Sequence, residues 1–156
     1  MFSFFWVYRS DIIMVQRKPS FQVIIRKLDK PIYNDLEAEF DWICKSLGFF
    51  ENIDRDKSAS LVFKELVSAT ELGESLSSTD VAERLDLSRG AAINHLNNLM
   101  RSGLIEKHGT RYFARSKSVL RTIEELEEDI ERIFNTMKKT ASLIDFQLKT
   151  RPRRLA

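Results

Sequence analysis

Residues 79–115 read TDVAERLDLSRGAAINHLNNLMRSGLIEKHGTRYFAR and contain two consecutive helical patterns. Their apolar positions are Val81, Ala82 and Leu85 in the first, and Ala91, Ala92, Leu96, Leu99 and Met100 in the second. Ser77 and Ser78 precede the first pattern and Ser88 precedes the second, and hydroxyl side chains accept bonds from the free N–H groups of a first helical turn. The stretch therefore predicts two short helices joined by a tight turn, the second ending at Gly103.

Two short β-prone runs, 104–107 and 111–114, follow these helices and flank His108-Gly109-Thr110. They predict a hairpin with glycine in its turn. Two helices followed by such a hairpin, or wing, form a winged helix-turn-helix, which places its second helix in the major groove of DNA. Between Ser88 and Arg115 there are five basic residues and one acid, Glu106, although the whole chain carries only +2. Positive charge concentrated in this way attracts phosphates.

The segments VAERLDLS, SRGAAINHLNNL and MRSGLIEK, together with the short wing, resemble the DNA-binding domain of winged-helix regulators of the ArsR and MarR type, especially archaeal ones. The resemblance covers 79–115 directly and extends to about residue 58 with the preceding helix. It implies a sequence-specific regulator of transcription that binds double-stranded DNA. Metal sensors of the ArsR type usually carry Cys and His clusters, whereas this chain has one Cys and two His, so neither a metal site nor a cofactor is predicted.

The recognition helix is expected at 88–102 and the wing at 104–115. Arg89 can pair with guanine O6 and N7, although a contact to phosphate alone is an equal alternative, and His95 can equally pack locally. Asn94 and Asn97 can read adenine or hold phosphates, and the wing is expected on the backbone or the adjacent minor groove. The predicted DNA-contacting residues are Thr79, Ser88, Arg89, Gly90, Ala91, Asn94, His95, Asn97, Lys107, His108, Thr110 and Arg111.

The N-terminal region, residues 1–50, is predicted to hold strand and helix segments. Phe21–Leu28 has alternating apolar residues typical of a strand, with Ile12–Gln16 as a potential partner, and an amphipathic helix is expected from about Asn34 to Leu47. The aromatic-rich residues 1–8 are too few to span a bilayer. They indicate either a true start at Met14 or an apolar patch that docks on the dimer. The winged domain is assigned to 54–115, with its first helix at 58–71 and Leu76 in the small sheet.

The C-terminal region, 116–150, is predicted to be one long helix because it contains neither Gly nor Pro, with a basic tail at 151–156. Such a helix is about 45 Å long and exceeds its own domain, so a homodimer is expected. Its acidic first half and basic second half favour antiparallel pairing, while a solvated, dipole-stabilised helix is the alternative. The predicted dimer contacts are Val119, Ile123, Leu126, Ile130, Ile133, Phe134, Met137 and Ile144.

The predicted fold class is mainly α with a small β-wing (α+β): a winged helix-turn-helix, a long dimerisation helix and a small N-terminal β/α extension. A hydrophobic content of 43 % supports a packed core, and a single Cys fits a cytoplasmic protein without disulfides. No nucleophile–base pair or phosphate loop is present, so an enzyme is not predicted. The alternative function is a protein-interaction adaptor that uses Tyr112 and the N-terminal aromatic residues as contacts. The sequence indicates no effector site and no membrane partner.

Overall fold

The computed structural model describes residues 23–32, 35–48 and 58–150. This part of the chain is mainly helical with one small antiparallel sheet, which confirms the predicted fold class. Its elements are α1 (Leu36–Ser46), α2 (Ser58–Glu71), β1 (Leu76–Ser77), α3 (Ser78–Arg84), α4 (Arg89–Arg101), β2 (Ile105–His108), β3 (Arg111–Ala114) and α5 (Val119–Thr150).

The sheet contains three strands in the order β1-β3-β2. Leu76 pairs with Tyr112, as expected for a short strand beside the wing, and Ile105 pairs with Ala114 across the hairpin. The hairpin turn is shorter than predicted, because His108 pairs with Arg111 and only Gly109-Thr110 remains as the loop. Gly109 has φ +59°, a value that a two-residue hairpin turn requires and that glycine adopts without strain.

The core is formed by α2, α4 and the sheet, with α1 packed on the outside of α2. Phe63 and Leu66 of α2 are fully buried together with Leu96 and Leu99 of α4. The rings of Phe40 in α1 and Phe63 in α2 meet edge to face at 5.6 Å. This core fixes α4 from behind and leaves its other side exposed.

The predicted strand at 21–28 is wrong for the part that the structure describes. Residues 23–32 have no regular secondary structure, and the Arg26 N–H donates to the Ser46 carbonyl at 2.8 Å. The segment thus runs past the end of α1, and residues 23–32 have no described strand beside them with which to pair. The start of α1 is set by Asp35, whose carboxylate accepts from the Ala38 N–H at 3.2 Å. The potential strand at 12–16, the aromatic residues 1–8 and the basic tail lie outside the described residues.

The long C-terminal helix, α5, spans 32 residues, and its first turns belong to the core of the winged domain. Leu126 is only 2 % exposed, and Val119 and Ile123 pack against the same cluster. These three residues were predicted as dimer contacts; in the single chain they pack against their own domain, and their place in a dimer contact stays a prediction. From Glu131 to Thr150 every residue is exposed. None of the helices in the described ranges is long and apolar enough to cross a membrane.

Candidate nucleic-acid interface

The two helices of the helix-turn-helix begin at well-formed serine caps. The Ser77 hydroxyl accepts from the Asp80 N–H at 3.1 Å, and the Asp80 carboxylate accepts from the Ser77 N–H at 2.8 Å, which completes a capping box. Ser88 caps α4 by accepting from the Ala91 N–H at 3.1 Å. Asp86, with φ 52°, turns the chain between α3 and α4. The turn and both caps therefore fix where the recognition helix begins.

The outer face of α4 is polar and open. Gly90, Asn94, Asn97 and Arg101 are all exposed and are separated by four, three and four residues, so they lie along one side of the helix. Arg89 precedes them, and its guanidinium forms no ion pair with any residue in the described part of the chain. We call these five residues the recognition face. Arg101, which donates to Asn98 at 3.0 Å, was not among the predicted contacts, although its spacing from Asn94 and Asn97 could have revealed it.

His95 lies on the opposite side of α4 and is only 8 % exposed. It is buried together with Ala92, Leu96 and Leu99, the apolar residues that hold α4 to the core. The local packing considered for this histidine is therefore what the structure shows, and its ring does not lie on the recognition face. Ala91 is also half-buried, and the Ser88 hydroxyl is occupied by its cap.

Arg111 ties the wing to the start of α3. Its guanidinium bonds the Asp80 carboxylate at 2.9 Å and the Ser75 hydroxyl at 3.3 Å. The hydrogen bonds from Ser77, with a further contribution from Arg111, hold the pKa of Asp80 below its ordinary value. Thr79 is exposed in the first turn of α3, next to Asp80. Half of the Arg111 side chain stays exposed, so it keeps N–H groups available for a ligand.

The wing tip carries the remaining predicted residues. Lys107, His108, Gly109 and Thr110 are exposed, and the Lys107 ammonium lies 5.1 Å from the centre of the Tyr112 ring. The His108 ring meets Phe113 edge to face at 4.7 Å. These contacts hold side chains of the tip against the hairpin, so the wing presents its polar groups in a defined position.

Arg115, counted in the basic segment, serves a structural role instead. It bonds Glu125 at 3.0 Å and Asp129 at 2.6 Å, both in α5, and its side chain is only 18 % exposed. Its charge is balanced by these two carboxylates, so it adds little to the field around the recognition face. The bonds join the end of the wing to the start of α5.

Residues 73–106 match a family model described as winged helix-turn-helix DNA-binding. The match spans β1, α3 and α4 and ends in β2, and the structure adds the second wing strand. The match, together with the observed fold, supports a winged helix-turn-helix domain in this chain and a role in DNA binding and transcription regulation. The match does not distinguish the ArsR type from the MarR type. No curated protein and no solved structure matches the chain.

Proposed function

We propose that this protein is a homodimeric, sequence-specific regulator of transcription that inserts α4 into the major groove of double-stranded DNA. The observation that carries the proposal is the recognition face, which is polar, exposed and fixed from behind by buried Leu96 and Leu99. An α-helix fits the major groove, and its exposed side chains then reach the base edges.

Each part of the interface has a different task in this arrangement. Arg89 is the base-reading residue, because its free guanidinium matches the two acceptors of guanine, and Asn94 and Asn97 suit adenine. The Thr79 backbone N–H, at the start of α3, and the free N–H groups of Arg111 bind phosphate. Lys107, His108 and Thr110 place the wing along the backbone and the adjacent minor groove.

We assign the contact with the second chain to the exposed end of α5. Ile133, Phe134, Met137 and Ile144 are each between 48 % and 58 % exposed in the single chain, which is an apolar surface too large for solvent. Two copies that bury this surface against each other form a dimer with two recognition helices.

The adaptor alternative loses part of its support. Tyr112, offered as a contact for a protein partner, is only 4 % exposed and belongs to the core. The N-terminal aromatic residues lie outside the described part of the chain.

The test is binding of a selected duplex and of a scrambled duplex, measured by fluorescence anisotropy at several salt concentrations. The duplex is first selected from a random library with the wild-type protein. Arg89→Ala is expected to weaken the selected duplex by about 1–3 kcal/mol and the scrambled one less, with relaxed preference at one base position. Lys107→Ala is the matched control and is expected to weaken both duplexes almost equally. Equal losses for Arg89→Ala would overturn base reading, and no salt-dependent binding by the wild type would overturn DNA binding.

A further inference from the structure

A single apolar stripe runs along α5 from one end to the other, and two different surfaces cover it. Its first part, Val119, Ile123 and Leu126, is covered by the winged domain of the same chain. Its second part is the exposed stripe, which we define as Ile133, Met137, Ile144 and Leu148 with Phe134 at its edge. The spacing keeps both parts on one side of the helix. A partner on the exposed stripe must therefore stop where the winged domain begins.

This continuity disfavours a parallel pair of α5 helices. Helices in contact have axes about 8–10 Å apart, and Ile133 lies only about 10 Å along the axis from Leu126. In a parallel pair, residues at the same level face each other, so two winged domains would have to fit between the helices just before the contact begins. Since α5 is one unbroken helix to Thr150, it cannot diverge sharply enough. In an antiparallel pair each domain lies beyond the end of the partner helix, and the conflict disappears.

The charges of α5 favour the same orientation. Residues 124–131 carry six acids, whereas residues 138–149 carry three lysines and one acid, Asp145. An antiparallel pair therefore sets the acidic half of each helix beside the basic half of the other copy. A parallel pair would instead place the two acidic halves side by side. Exposed ion pairs contribute little energy, so these charges influence the orientation of the two helices more than the affinity between them.

A groove of about 840 Å³ lies where the exposed stripe emerges from the winged domain. It is bounded by α4 at Met100, by the wing at Ile105 and Lys107, and by α5 at Arg132 and Ile133. The groove thus adjoins both DNA-contacting elements. The apolar side chains of Met100, Ile105 and Ile133 in this groove suit an apolar helix end.

Resting on the homodimer proposed above, we infer that residues 130–150 of two α5 helices pair antiparallel, with Ile130 opposite Leu148 of the second copy. The pair is then centred at Lys139. The end of each helix, Ile144 and Leu148, occupies the groove beside the other copy's wing. The end of α5 in each chain thus packs against the DNA-binding domain of the other chain.

This register gives the dimer a spacing suited to DNA. The two Leu126 residues, where the helices leave their own domains, are 26 residues apart across the centre, which is about 39 Å along the axis. Successive major grooves on one side of a duplex are about 34–36 Å apart. The two points at which the domains join the paired helices are thus separated by about the length of one DNA turn.

The experiment is disulfide cross-linking between full-length chains that each carry one introduced cysteine. Cys44 is buried and is replaced by alanine first. Ile130→Cys and Leu148→Cys are made separately, tagged differently, and co-expressed or expressed alone. The two positions are about 27 Å apart on one helix, far beyond disulfide reach. Leu120→Cys, which is 70 % exposed but precedes the paired segment 130–150, is the matched control.

Cross-linking of the Ile130→Cys chain with the Leu148→Cys chain, without cross-linking of either variant to itself, is the expected result. Self-cross-linking of each variant would show a parallel pair, and no cross-link in any mixture would place the dimer contact elsewhere. Either result overturns this register. Sedimentation and duplex binding of the same samples keep the proposed function separate, because a dimer that binds DNA with the wrong cross-links refutes only the register. A monomer that binds DNA refutes the register and the dimer together.

Discussion

At the scale of single residues, Gly90 is a position where an effect on folding can be separated from an effect on DNA binding. It stands exposed in the first turn of α4, where a Cβ would meet no atom within 4 Å. Glycine in a helix is less stable than alanine by up to about 1 kcal/mol. The fold therefore has no need of glycine here, whereas a DNA backbone or base edge that approaches α4 closely does.

Gly90→Ala is expected to keep or slightly raise the melting temperature and to weaken binding of the selected duplex at least several-fold. The physical reason is that the new methyl group occupies space on the recognition face and touches nothing inside the protein. Thermal unfolding by circular dichroism and anisotropy titration measure the two effects on one sample. Unchanged affinity would show that Gly90 lies away from the DNA.

Leu126 is the opposite case, because it is buried in its own domain and stabilises the fold. Leu126→Ala is expected to lower the free energy of unfolding by about 2–5 kcal/mol, because it leaves a cavity in a fully buried site. Met137→Ala, at a position 58 % exposed in the single chain, is the matched control. Urea unfolding at a concentration low enough to favour monomers measures both. A loss confined to Met137→Ala would contradict the packing of Leu126 in its own domain.

At the scale of elements, α3 has only seven residues, so its stability depends strongly on its capping box. Ser77→Ala removes the hydroxyl that accepts from the Asp80 N–H and is expected to destabilise the protein by about 1 kcal/mol. Ser78→Ala, one position inside the helix, is the control and is expected to change stability less. Chemical denaturation of the three proteins tests this, and equal effects of both substitutions would argue against the cap.

The contacts of Asp80 also predict a dependence on pH. Hydrogen bonds from Ser77, together with Arg111, lower the pKa of Asp80 from its ordinary value of 3.8. A lowered pKa in the folded state means that the carboxylate stabilises the fold above pH 3.8 and that this contribution is lost as the pH falls below it. Asp80→Asn is expected to flatten the acid limb of the stability curve, measured by urea midpoints between neutral and acid pH. An unchanged acid limb would contradict this assignment.

Elements with strong local signals were predictable from the sequence. The helix at 58–71 and the helix after Ser88 have regular apolar spacing and serine or glycine ends, and the structure places them at 58–71 and 89–101. Pairings between distant residues were not predictable. Nothing local indicates that Arg115 bonds Glu125 and Asp129, or that Leu126 turns inward while Met137 does not. The alternating run at 23–28 failed because a strand needs a partner, and local alternation does not supply one.

At the scale of the whole molecule, α5 joins DNA reading to dimer formation in the function proposed above. Arg115 connects the wing to Glu125 and Asp129, and the exposed stripe begins one turn beyond Asp129. The orientation of the stripe relative to the recognition helix is therefore set within each chain before two chains meet. Two linked domains bind neighbouring half-sites with an effective concentration that raises affinity about 10²–10⁴-fold.

Met137→Asp combined with Ile144→Asp tests this coupling directly. Both residues are more than half exposed in the single chain, so the folded monomer tolerates the carboxylates, whereas a buried dimer contact does not. The double variant is expected to sediment as a folded monomer at micromolar concentration and to lose about 10²-fold or more in affinity for a two-half-site duplex. Its affinity for a single half-site should stay close to that of the wild type, because the recognition face is untouched. Leu120→Asp, at an exposed position that precedes the paired segment 130–150, is the control and should remain dimeric. A double variant that remains a stable dimer would place the contact away from the exposed end of α5 and would leave the antiparallel register without its basis.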